Sequence, residues 1–164
     1  YYVINAYANI WYDKDIKIIK ILQQDGRISN QDLAQKIDLS PASTLERVRK
    51  LENTGVISSY HAKINPDSLD LNFIAFLLIT LSNHQLATIN NFHESIDKIA
   101  GITEQFRTTG RFDMILKVYA PNPGAFEREI LDKLRALREI DKIQTIVVLS
   151  PENKEKEFPF PKTE

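Results

Sequence analysis

Ser40-Pro41 constrains this chain more than any other pair, because it fixes where a helix must begin. A serine hydroxyl can cap the exposed amides of a first turn, and proline's missing N–H costs nothing at the first helical position. Gly55 sits where a left-handed residue ends a helix, so the spacing predicts one helix between them. Leu45 and Val48 are expected to face inward, with Leu51 bordering that stripe. Ser43, Arg47 and Lys50 lie on the opposite side, with Arg49 at the flank.

Two shorter helices precede it. Asp13 can cap a helix through Gln24, in which Ile16, Ile19 and Leu22 form an apolar stripe widened by Ile18 and Ile21. Asp25-Gly26 stops it. A second helix opens at Ser29, with Asp32 three residues on, and turns Leu33, Ala34 and Ile37 inward. Only Asp38-Leu39 separates it from Ser40. Glycine would enter so tight a turn more easily than Asp38, and a carboxylate adds negative charge there.

Two helices, a very short turn and a capped basic helix make the helix-turn-helix pattern. Small residues at the front of such a helix approach base edges, and long cations behind them reach bases or phosphates. The expected DNA-contacting residues are Ser29, Ser40, Pro41, Ala42, Ser43, Thr44, Arg47, Arg49 and Lys50. Charge agrees weakly. Residues 13–65 hold nine Lys/Arg against seven Asp/Glu, whereas residues 66–164 hold twelve against fifteen. On pattern alone, a plain helical hairpin with a solvated charged face remains the competing reading.

Val56–Ile64 is expected to form a short strand ending at Asn65-Pro66, within a hinge and linker spanning residues 56–71. His61 there reads as a packing or surface residue. Phe73–Leu81 is a buried strand, and Leu86, Ile89, Phe92, Ile96 and Ile99 recur at helical spacing. Ile102–Thr109 and Phe112–Ala120 form strands around the tight turn Gly110-Arg111. Phe126, Ile130, Leu134 and Leu137 share one helical face, and Lys142–Leu149 is the last strand. The order βαββαβ predicts an α+β architecture: a three-helix helix-turn-helix domain, a hinge strand, and a ferredoxin-like domain over residues 72–150 with both helices on one sheet face. The opposite face carries Ile and Val among polar groups and should be covered by a partner chain, giving a homodimer.

Several classes are excluded. The chain has no cysteine, so disulfides, cysteine-based zinc sites and thiol catalysis are ruled out. His61, His84 and His93 show no metal-ligand spacing. The longest apolar run, Phe73–Leu81, is far shorter than the roughly 20 residues of a membrane span. No catalytic residue, metal or cofactor is expected, and the expected location is the cytoplasm, on the nucleoid. Residues 1–12 read as an extended arm or appended remnant, and residues 151–164, with three prolines, as a loose tail.

The sequence resembles the leucine-responsive regulator/asparagine regulator family, also called feast/famine regulators. Asp15–Leu22, Asp25-Gly-Arg-Ile-Ser29, Leu39-Ser-Pro41, Glu46–Glu52, Gly55-Val-Ile57, Asn65-Pro66 and Thr108–Met114 carry the resemblance, which covers roughly residues 13–150. It implies transcription regulation through double-stranded DNA, a second domain that binds an amino-acid effector, and dimers that often join into octamers. It implies an effector site near Thr108, Thr109, Gly110, Arg111 and Asp113. The residues agree: Gly110 allows close backbone approach, and Asp113 offers a counter-charge to an ammonium. A hairpin whose threonines and aspartate only satisfy local backbone is the alternative there. Sirohaem decarboxylases resemble the family in fold, but the intact Arg47, Arg49 and Lys50 and the few histidines favour a regulator. A sensor that does not bind DNA is the third reading.

Overall fold

The computed structural model describes residues 13–150, so the expectations for residues 1–12 and 151–164 lie outside the described residues. The chain divides into two compact units, with the boundary between Lys63 and Ile64.

The first unit holds three helices: α1 (Asp13–Gln24), α2 (Asn30–Ile37) and α3 (Pro41–Asn53). Ile18, Leu33, Ile37 and Leu51 form its buried centre, and Ile19, Ile21, Leu22 and Val48 pack around them. The caps expected at Ser29 and Ser40 are both formed, whereas Asp13, the third expected cap, lies within α1. Ser29 Oγ accepts from the Asp32 amide at 3.1 Å, and Ser40 Oγ accepts from the Ser43 amide at 3.2 Å. Asp38 takes the left-handed conformation, with φ 56°, and its amide returns to Ala34 and Gln35. Lys14 of α1 donates its ammonium to the carbonyls of Ile37 and Asp38, the end of α2 where positive charge is favoured. That contact offsets the strain of a non-glycine residue in the turn. Asn30 Nδ2 donates to the Pro41 carbonyl at 2.8 Å and ties the start of α2 to the start of α3.

The inward face of α3 departs from expectation. Thr44 is fully buried, Leu51 is buried and Val48 half-buried, whereas Leu45 is 40% exposed. The helix is rotated so that the Thr44–Leu51 row, seven residues apart, meets the core. Thr44 fits there because its hydroxyl donates to the Ser40 carbonyl at 3.0 Å. The strand expected at Val56–Ile64 is not formed. A strand needs a second strand to receive its hydrogen bonds, and no described residue pairs with this segment.

The second unit is a four-stranded antiparallel sheet in the order β2-β3-β1-β4, with β1 (Phe73–Leu81), β2 (Ile102–Arg107), β3 (Met114–Ala120) and β4 (Ile140–Val147). Helix α4 (Leu86–Ile96) links β1 to β2. A continuous helical run links β3 to β4: α5 (Pro123–Phe126), a π turn over Glu127–Leu131, and α6 (Asp132–Arg135). This is the expected ferredoxin-like α+β arrangement. Alternation on the central strands builds its core: Ala75, Leu77, Ile79 and Leu81 of β1 with Met114, Leu116, Val118 and Ala120 of β3, packed with Phe92, Ile96, Phe126, Ile130 and Leu134 of the helices. Gly101 lets the chain pass close to β3. A Cβ there would lie 2.6 Å from the Tyr119 carbonyl oxygen and 2.8 Å from Ile130 Cδ1, and its φ is 93°. On the opposite face the register sets Phe76 beside Ile146 and Leu78 beside Ile115, which in turn pairs with Phe106. Phe106 and Ile146 are exposed.

Candidate DNA interface and effector turn

The rotation of α3 decides what it can offer to DNA. From Pro41 to Lys50 its exposed residues are Pro41, Ala42, Ser43, Leu45, Glu46, Arg49 and Lys50. Ala42, Ser43, Arg49 and Lys50, all expected to contact DNA, are thus exposed. So are Ser29, Ser40 and Pro41, at the starts of α2 and α3. Thr44 is not: fully buried, it is a core residue and has no surface for a base.

Arg47 is the second correction. It lies on the flank of α3 that faces α1, and its guanidinium is 2.8 Å from an Asp15 carboxylate oxygen. The Arg47 side chain is 34% exposed and that of Asp15 is 10% exposed. The pair joins the first turn of α1 to the middle of α3, so Arg47 does not lie opposite the apolar stripe. Leu45 and Glu46 take the exposed face instead. An exposed apolar side chain on such a helix suits a thymine methyl, and a carboxylate suits a cytosine amine. The signal for them was the phase of the helix, which the identities of Leu45 and Val48 concealed.

In the second unit, the turn between β2 and β3 closes through two hydrogen bonds. The Thr108 amide donates to the Asp113 carbonyl at 2.8 Å, and the Thr108 hydroxyl donates to the Phe112 carbonyl at 2.6 Å. Gly110 has φ 107°, with open space where a Cβ would stand. Arg111 lies over the Phe112 ring, 5.3 Å from its centroid. Thr109, Gly110 and Arg111 are exposed.

Asp113 is the best-anchored residue of this turn. Its amide donates to the Ile79 carbonyl, and its Oδ2 accepts from the Leu81 amide, both at 2.8 Å. Its Oδ1 lies 2.7 Å from His84 Nε2. The Leu81 N–H holds this carboxyl below the usual carboxylate range; partial burial opposes that, and His84 and Arg107 reinforce it. No pattern in the sequence points to His84, because that residue reaches Asp113 from the loop after β1. Among the described residues, no group of three or more acidic or histidine side chains is placed to hold a metal ion.

The winged helix-turn-helix DNA-binding profile matches residues 13–58, and the Lrp/AsnC ligand binding domain matches residues 74–157, half of the chain. The leucine-responsive regulatory proteins of Klebsiella pneumoniae and Escherichia coli are each 36% identical over 135 residues, covering 82% of this chain and 82% of theirs. The chain belongs to the Lrp/AsnC family. It is a DNA-binding transcription regulator with a ligand-binding domain, and the family is one of regulators, not enzymes. A transcriptional regulator of Neisseria meningitidis, solved as an L-methionine complex, superposes with a TM-score of 0.85 at 28% identity, over 91% of this chain and 96% of its own. Bacillus subtilis LrpC gives a TM-score of 0.78 at 28% identity, over 88% and 99%. No helix among the described residues is long and apolar enough to cross a membrane.

Proposed function

We propose that this Lrp/AsnC regulator reads its operator with the exposed face of α3 and binds an amino acid at the turn from Thr108 to Asp113. Ala42, Ser43, Leu45 and Glu46 are the residues assigned to base edges, and Arg49 and Lys50 to phosphates or bases. Ser29, Ser40 and Pro41 approach the backbone at the starts of α2 and α3. Arg47 supports α3 through Asp15.

The observation that carries the effector class is the L-methionine bound to the Neisseria meningitidis relative. The local chemistry fits an α-amino acid. The amides of Thr109, Gly110 and Arg111 take no part in the hydrogen bonds that close the turn, and Gly110 leaves room for a carboxylate to approach them. Asp113, kept ionised and held by β1, supplies the acceptor for an ammonium. The apolar sheet face around Phe76, Leu78, Phe106, Ile115 and Ile146 supports pairing with a second copy, and larger assemblies built from such dimers. The protein then works in the cytoplasm, on the nucleoid.

Arg49→Ala and Lys50→Ala test the DNA half. If either residue contacts a phosphate, affinity falls on all sequences and the salt slope drops by about one. If either contacts a base, the loss is about 1–3 kcal/mol and specificity relaxes at one position. Two variants with unchanged operator affinity and salt slope overturn this placement of α3.

A further inference from the structure

The carboxylate of Asp113 is held from two sides that differ in kind. Oδ2 is fixed by a backbone donor, the Leu81 amide of β1, which cannot leave without disturbing the sheet. Oδ1 is met by an imidazole on the loop after β1, and that side chain is 69% exposed. The Asp113 side chain is 20% exposed. One oxygen is therefore permanently engaged, and the other is engaged by a group that can swing into water at little cost.

We propose that His84 belongs to the effector site and occupies, at Asp113 Oδ1, the position that the effector's ammonium takes when it binds. The inference rests on the amino-acid reading of the Thr108–Asp113 turn. An imidazolium and an ammonium are the same kind of partner for a carboxylate: cationic N–H donors at hydrogen-bond distance. His84 then serves as a built-in competitor. It keeps Oδ1 of Asp113 partnered in the empty site, and it sets a threshold the effector must exceed.

The competition depends on the charge of the imidazole. A protonated ring holds the carboxylate by charge and hydrogen bond together, a neutral ring by the hydrogen bond alone. The other groups acting on Asp113 do not change over the relevant range. They are the Leu81 N–H from β1 and the Arg107 guanidinium from the end of β2, and guanidinium stays charged throughout. Arg111 is stacked on Phe112. An amino acid keeps both its charges between about pH 5 and pH 7, so a pH dependence of its binding in that range comes from the protein.

Calorimetry on the full chain with the twenty amino acids, at about pH 5 and about pH 7, tests this. Wild type, His84→Ala, Asp113→Asn and, as a control, His93→Ala are compared. The expected result is that the amino acid bound by wild type binds tighter at the higher pH, by roughly two- to fivefold, the range of an exposed ion pair. His84→Ala binds at the lower pH at least as tightly as wild type does at the higher, with no pH slope. His93→Ala keeps the wild-type slope, and Asp113→Asn loses most of the affinity. If His84→Ala binds more weakly than wild type, or keeps its slope, the competitor role is overturned while the amino-acid site stands. If neither wild type nor His84→Ala binds any amino acid, the amino-acid reading of the turn fails and this inference fails with it.

Discussion

Arg47→Ala separates the structural account of α3 from the one its sequence invites. Read as a residue on the DNA face, Arg47 could be removed with little loss of packing. In the structure its guanidinium closes on Asp15, whose side chain is only 10% exposed. Breaking a fully buried pair by deleting one partner costs about 3–5 kcal/mol, because the other charge is left without compensation. Exposed pairs are worth about 0–1 kcal/mol. With Arg47 itself 34% exposed, this pair lies between, and Arg47→Ala should destabilise the first unit by about 1–3 kcal/mol. Asp15→Asn should cost less, since the stranded guanidinium can turn to water and the amide can still accept a hydrogen bond. Hydrogen exchange of peptides from α1 and α3 in the full chain reads this unit separately. The expected loss of protection is about 5- to 150-fold for Arg47→Ala. Unchanged protection in α1 and α3, together with a large loss of operator affinity, would refute the pairing and return Arg47 to the DNA face.

Three further outcomes follow from the same geometry. Gly101→Ala should destabilise the second unit strongly, because its Cβ would collide with the Tyr119 carbonyl and Ile130 at a φ of 93°; denaturant unfolding of the sheet measures it. Thr44→Val keeps the buried shape but removes the hydroxyl that bonds Ser40, so a loss of about 1 kcal/mol is expected in hydrogen exchange of α3, with operator specificity unchanged. Asp113 has its carboxyl lowered in the folded state, so its contribution to stability is present above about pH 4 and fades as pH falls through the folded value. Acid unfolding of Asp113→Asn should accordingly be less steep than that of wild type.

The sequence was most informative where one residue type has one physical use. Ser29 and Ser40 as caps, Pro41 at a first turn, Gly55 with φ 74°, and the alternating core of β1 and β3 all follow from such rules. It misled where identity and position disagree. Leu45 is apolar yet exposed, and Thr44 is polar yet buried, because its hydroxyl can bond back along its own helix. The three helices and the helix-turn-helix were legible, but the rotation of α3 was not, and it governs which side chains face DNA. Partners far apart in sequence were equally hidden: Asp15 with Arg47, and His84 with Asp113, meet only through the fold. Val56–Ile64 has the pattern of a strand, but a pattern cannot supply the strand it must pair with.

If α3 binds a specific operator and an amino acid changes that binding, one affinity measurement shows both. Fragments selected by the full chain from the genome of its source organism provide the operator. The decisive measurement is its affinity for that fragment, against unrelated DNA, with and without each amino acid at millimolar concentration. A clear preference for the selected fragment is expected, with an affinity change of about fivefold or more with at least one amino acid. Equal affinity for selected and unrelated DNA, or a specific affinity that no amino acid alters, would contradict the proposed function.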